Sequence, residues 1–234
     1  MISTKHQAIF LHAPKTAGSS ISYALSRDIL KPGDNEEQYK ALHAKLDKQS
    51  PGLPHHASLE EVRDYMASKG QPEQFESFFK FTFVRNPFDQ LYSFFMFHKY
   101  WLAEKGIVSV FRFEEEFEDF LCGLDGGALS LNQINNQSER GVENAQAVFR
   151  EIFQKQYAYI DGKINVDFVG KFESLKRDFN VVSKALGIPS DLPHKKRASP
   201  SLERQPYWVH YSEKSRKIAE ALLREDLETF NYCF

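Results

Sequence analysis

Short apolar runs alternate along this chain with longer stretches of helical spacing. Ile9, Phe10 and Leu11 stand together between polar residues and Pro14, which predicts a buried strand over residues 8–13. His12 falls inside that strand and reads as a packed core histidine. A helix is expected over about residues 19–30, with Ile21, Ala24 and Leu25 on one face and Lys31-Pro32-Gly33-Asp34 as its stop. Residues 34–57 are polar, contain Pro51, Gly52 and Pro54, and read as a weak helix followed by a loop. Ser58-Leu59-Glu60-Glu61 is a capping box, in which serine and glutamate each satisfy a backbone N–H of the other. Leu59, Val62, Tyr65 and Met66 then keep helical spacing until Gly70.

Phe79, Phe81 and Phe83 alternate with Lys80, Thr82 and Val84, which predicts a second strand over 78–84. Asn86 suits a helix cap and Pro87 its first turn, so a helix should run on to about Glu104, with Leu91, Phe94, Phe95 and Trp101 inward. Residues 123–141 are rich in Gly, Asn and Ser and read as a loop. A helix over about 143–157, a strand over 167–170 and a helix over 174–186 come next. Pro189, Pro193, Pro200 and Pro206 make 187–210 an extended loop, and Ser212 caps a last helix that buries Ile218, Leu222 and Leu223. Strands alternating with helices predict an α/β sandwich with a mainly parallel sheet. In such sheets ligands bind beyond the carboxyl ends of the strands. Lys15 and Arg85 each sit just past the end of a predicted strand.

Composition narrows this picture. The 234 residues, 41% hydrophobic and 26% charged, fit a single packed domain over 1–234 with no internal repeat. A net charge of −2 argues against a dedicated nucleic-acid binder, whose phosphate contacts need a basic surplus. Cys122 and Cys233 are far apart in sequence, without metal-ligand spacing, and read as reduced thiols. No apolar run reaches the roughly 18 residues of a bilayer span, and the start lacks a signal-peptide pattern, so a cytoplasmic protein is expected.

Two segments carry candidate chemistry. Pro14-Lys15-Thr16-Ala17-Gly18-Ser19-Ser20 joins a strand to a helix. Outward amides and the positive helix end make that junction suited to an anion. Thr16, Ser19 and Ser20 add hydroxyls and Lys15 a full charge. Lysine leads this loop and glycine follows, the reverse of the Walker order, so the loop suits a phosphate handled without a metal. The plain alternative is an ordinary turn with polar capping residues. In the second segment Arg85 stands at a strand mouth, with Asp89 and Ser93 at successive helical spacings of four. A guanidinium and a hydroxyl there suit one phosphate; the alternative is a surface arginine paired with Asp89.

Taken together, residues 9–20 resemble the 5′-phosphosulfate loop of the sulfotransferases, especially the carbohydrate and bacterial branch. Residues 81–93 look like that family's 3′-phosphate segment. Gln156–Ile160, Val166–Leu175, Leu192-Pro193-His194 and Asp226–Tyr232 are similar to its later elements, in the right order. The resemblance implies a P-loop-like three-layer sandwich, a mainly parallel central sheet flanked by helices. It also implies transfer of a sulfuryl group from 3′-phosphoadenosine 5′-phosphosulfate to a hydroxyl or amine, with no metal. Lys15, Thr16, Ala17, Gly18, Ser19 and Ser20 would hold the 5′ end, and Arg85 and Ser93 the 3′ phosphate.

Lys15 is the expected cation for the leaving oxygen. His56, with His55 second, is the expected base, because a helix start disfavours an imidazolium. The alternative is a pair of exposed loop histidines; His43 and His98 have no comparable setting. Lys195, Lys196 and Arg197 form the densest basic cluster, either a solvated loop or a strap that folds over bound nucleotide. Glu114-Glu115-Glu116 reads as a solvated helix face. The acceptor is expected from family analogy to be an oligosaccharide or a small hydroxylated molecule; residues 34–57 and 105–142 show no sugar- or steroid-specific pattern. Two other readings remain: an ATP-dependent P-loop kinase, against which the lysine position argues, and a non-catalytic nucleotide or glycan binder of the same fold.

Overall fold

A computed structural model describes residues 1–26, 52–101, 116–124, 141–192 and 205–234. Along the chain these form β1 (Ile2–Ser3), β2 (Ala8–Leu11), α1 (Gly18–Leu25), α2 (Leu59–Ser68), α3 (Pro72–Ser77), β3 (Phe79–Val84) and α4 (Pro87–Met96). Then come α5 (Phe117–Cys122), α6 (Gly141–Arg150), β4 (Tyr159–Ile160), β5 (Lys163–Ile164), β6 (Phe168–Lys171), α7 (Leu175–Leu186), α8 (Glu213–Leu222) and α9 (Arg224–Phe230). They belong to two compact units, Met1–Val84 with Gln154–Lys196, and Arg85–Phe153 with Arg197–Phe234.

The first unit holds a four-stranded sheet in the order β1-β2-β3-β6, parallel except for β1. Phe10, Phe81 and Phe168 lie in register across it. Successive side chains of a strand point to opposite faces. Ala8 and Phe10 of β2, with Phe81 and Phe83 of β3, pack with Ile21, Ala24 and Leu25 of α1 and Phe179 and Val182 of α7. Ile9 and Leu11 pack with Leu59, Val62 and Met66 of α2, Phe75 of α3, Tyr157 and Ile160. The sheet is therefore covered by helices on both faces, which is why β2 is an unbroken apolar run.

Two polar residues of β3 interrupt its apolar face, and both are satisfied. The Lys80 ammonium donates to the carbonyls of Phe75, Glu76 and Phe78 at 2.9–3.1 Å, closing the end of α3. The Thr82 hydroxyl donates to the Leu11 carbonyl at 2.9 Å. Asp167 clamps the start of β6 to β3: its carboxylate accepts from Lys80 N–H at 2.7 Å, and its own N–H donates to the Lys80 carbonyl at 2.8 Å. Further along β6, Gly170 faces Phe83, whose ring would stand 2.4 Å from an added Cβ.

The second unit is helical. Phe88, Leu91, Phe94 and Phe95 of α4 pack with Phe117 and Phe120 of α5, Phe149 of α6 and Ala219 of α8. The hydroxyl of half-buried Tyr211 donates to the Phe88 carbonyl at 2.9 Å; loss of solvent around it pushes its pKa well up, with the Asp89 charge adding to the effect.

Most expected elements are present, with altered ends. The first strand stops at Leu11 because Ala13 N–H turns back to the Leu11 carbonyl, which leaves His12 just past the strand rather than inside it. The helix after Pro87 is regular to Met96 and continues as a π-helical turn, Phe97–Trp101. The helix placed over 143–157 ends at Arg150, where tighter i→i+3 bonds from Ile152 and Phe153 take over. Both serine caps form: Ser58 with Glu61, and Ser212 with Ser215. The weak helix and loop over 34–51, the loop over 125–140, His43 and the Lys195-Lys196-Arg197 cluster lie outside the described residues. Both cysteines are free thiols, and Glu116, exposed, is the residue before α5 rather than part of its face. Among the described residues no helix is long and apolar enough to cross a membrane.

Candidate active site

The turn after β2 carries the candidate chemistry of the first unit. Lys15 and Ala17 both adopt left-handed backbone, φ 65° and 69°, and Thr16 between them does not. Such alternation turns successive N–H groups into one concavity, the arrangement that receives anions. α1 begins there, capped by Ala17 without a side-chain hydrogen bond, and the Ala17 carbonyl accepts the N–H groups of Ser20 and Ile21. The Thr16 hydroxyl is fully buried and donates to the Ala13 carbonyl at 2.8 Å. Its proton therefore holds the turn, while Ser19 and Ser20 are half-buried at the helix start.

Gly18 stands at the start of α1. Its own φ is ordinary, and its role is close approach: an added Cβ would come within 1.7 Å of the His12 ring. That ring is 7% exposed, stacks on Phe10 with centroids 5.6 Å apart, and meets two further imidazoles. The ring centroids of His12, His55 and His56 stand 4.6–4.7 Å from one another, each pair edge-on. The residues before α2 thus come to the end of β2, 44 positions away along the chain.

His56 is the most constrained of the three. Its Nδ1 lies 2.7 Å from the His12 carbonyl, and its own carbonyl accepts from the Tyr157 hydroxyl at 3.4 Å. A carbonyl only accepts, so Nδ1 carries the proton and the lone pair sits on Nε2. The pKa of His56 is lowered to about 3. Burial is the largest cause, followed by the charge of His55; the His12 carbonyl pulls upward, and Lys15 and the N-terminal ammonium push down further. A neutral ring was expected from the helix start; it arises here from burial and neighbouring positive charge. His55 is the exposed member.

In the second unit the Arg85 side chain is 3% exposed. Its Nε and Nη2 reach the same Asp89 oxygen at 2.8 and 2.7 Å, a pairing within the first turn of α4 that fixes the plane of the guanidinium. Asn86 caps that helix by accepting from Phe88 N–H at 3.0 Å. Ser93 is buried one turn beyond Asp89. Arg85 thus pairs with Asp89, as in the plain alternative, but is buried rather than on the surface.

The sequence matches the profile of the Sulfotransferase family over residues 1–233. The chain belongs to the sulfotransferase family. No curated protein and no solved structure matches it. The match covers both segments on which the resemblance was drawn, and the mixed α/β architecture with its mostly parallel sheet is consistent with a sulfotransferase.

Two residues of this candidate site escaped sequence reasoning. His12 was read as core packing, and it is packed, but it also orients His56 through its carbonyl and dictates glycine at 18. The signal was its place directly before Ala13-Pro14, past the apolar run. Tyr157 reaches His56 across 101 positions, and no local pattern announces that. His98, half-buried, stands against Phe94 with ring centroids 4.4 Å apart.

Proposed function

We propose that this sulfotransferase moves a sulfuryl group from 3′-phosphoadenosine 5′-phosphosulfate to an acceptor hydroxyl, with His56 as general base. The observation that carries this reading is the neutral, oriented His56 ring beside the turn that holds Lys15. In the proposed step Nε2 of His56 takes the acceptor proton as the acceptor oxygen attacks sulfur. The bond from sulfur to the 5′-phosphate oxygen breaks, and the charge left on that oxygen is met by the Lys15 ammonium and the amides of the turn. Residues Lys15–Ser20 are assigned to the 5′ end, with Thr16 shaping the turn from within. Arg85 and Ser93 are assigned to the 3′ phosphate on their sequence pattern, with Asp89 orienting the arginine. His55 is the second candidate base. Lys195, Lys196 and Arg197 are assigned as further nucleotide contacts on their density of positive charge in the sequence, and a carbohydrate is the favoured acceptor on family resemblance alone.

Titration calorimetry with 3′-phosphoadenosine 5′-phosphate against AMP tests the donor. The bisphosphate is expected to bind at least tenfold more tightly, and equal affinity removes the role of Arg85. His56→Ala is expected to lower the transfer rate by about 10²–10⁴ with nucleotide affinity little changed. Unchanged transfer would move the base role to His55.

A further inference from the structure

We propose that His12, His55 and His56 form a site for a borderline transition-metal dication such as Zn²⁺ in the nucleotide-free protein. Among the described residues this is the group of potential ligands whose donor atoms converge, all within 4.8 Å of one another. Three imidazoles suit zinc, copper or nickel, whereas Mg²⁺ and Ca²⁺ prefer oxygen ligands. The ring centroids form a nearly equilateral triangle, so all three rings can face one point.

Supporting contacts are already in place. A ligating histidine usually donates its other ring N–H to a carbonyl, which fixes the ring and frees the second nitrogen. His56 Nδ1 does this with the His12 carbonyl at 2.7 Å. The His12 ring is held between Phe10 and Gly18. Zn–N bonds of about 2.0–2.1 Å require donor atoms about 3.3 Å apart in a tetrahedron. Closing from 4.8 Å needs movement, and exposed His55 can supply it by a side-chain rotation. Three protein ligands leave a fourth position for water or an anion. Three protein ligands in place of four set the affinity below that of a closed structural zinc site.

The site does not rest on the sulfuryl-transfer reading, and the two fail separately. If His56 is the base, a bound dication occupies the lone pair that would take the proton, and metal is an inhibitor rather than a cofactor. The test titrates the nucleotide-free full chain with ZnCl₂ by calorimetry, and with CoCl₂ by visible absorption. One equivalent is expected to bind, with ligand-field bands for cobalt. His55→Ala, which alters an exposed side chain, and His12→Phe, which keeps the aromatic packing, are each expected to weaken binding at least tenfold. No binding, or binding equal in both variants and the parent protein, overturns the site. Nucleotide calorimetry on the same samples reports separately on the donor site.

Discussion

An imidazole with a pKa of about 3 stays neutral at the cost of proton affinity, and in His56 that affinity is lost chiefly to burial. The folded protein refuses a proton until about pH 3, while the unfolded chain accepts one at about 6.5. The folded pKa is the lower of the two, so this contribution to stability is present in full above pH 6.5 and is lost as the pH falls towards 3. Denaturant titrations across that window should show the parent protein losing stability faster than His56→Gln. The difference in slope should approach about 1.4 kcal/mol per pH unit. A flat difference would mean that the ring is protonated when folded. The neighbouring charges acting on His56 are positive, so an anionic nucleotide beside Lys15 should raise its pKa. Histidine NMR titration with and without 3′-phosphoadenosine 5′-phosphate reads that shift directly, and a downward movement would contradict the placement of the 5′ end at Lys15.

Among the elements, the turn from β2 into α1 concentrates the most specific requirement. Gly18 has backbone angles that any residue adopts, so Gly18→Ala should fold, but its methyl must displace the His12 ring. Overpacking of this kind costs about 1–3 kcal/mol. The expected result is a lowered melting temperature together with slower transfer, because the carbonyl that orients His56 belongs to the same residue. Restored stability in Gly18→Ala with His12→Ala would confirm the contact; additive losses would refute it. The elements legible in the sequence were those with strong local chemistry. Ser58 with Glu61 fixed one helix start, Asn86 with Pro87 another, and apolar runs marked β2 and β3. Those missed were short or bounded from outside. β1 exists through pairing with β2, β4 and β5 are two-residue strands, and α3 is closed by an ammonium contributed by Lys80 from the following strand. α9 starts only two residues after α8 ends, so its start is hidden in continuous helical spacing.

At the scale of the whole molecule, the chain forms two compact units. The two units interleave: the chain passes between them at Val84–Arg85, Phe153–Gln154 and Lys196–Arg197. No shift in composition marks these points, since both units are rich in Phe and both use serine caps. The junctions at Lys15 and Arg85 were legible because each is local, a strand end running into a helix start. The histidine cluster was not, because it joins residue 12 to residues 55 and 56 through the fold. Interleaving also orders events during synthesis. β3 leaves the ribosome long before its second neighbour: the Lys80–Asp167 clamp spans 87 positions, and the chain from Arg85 to Phe153 is made in between. Through that interval a Phe-rich strand has an unpaired edge, the feature through which nascent chains stick to one another. Until β6 arrives, the open edge of β3 is therefore where self-association of the nascent chain is expected.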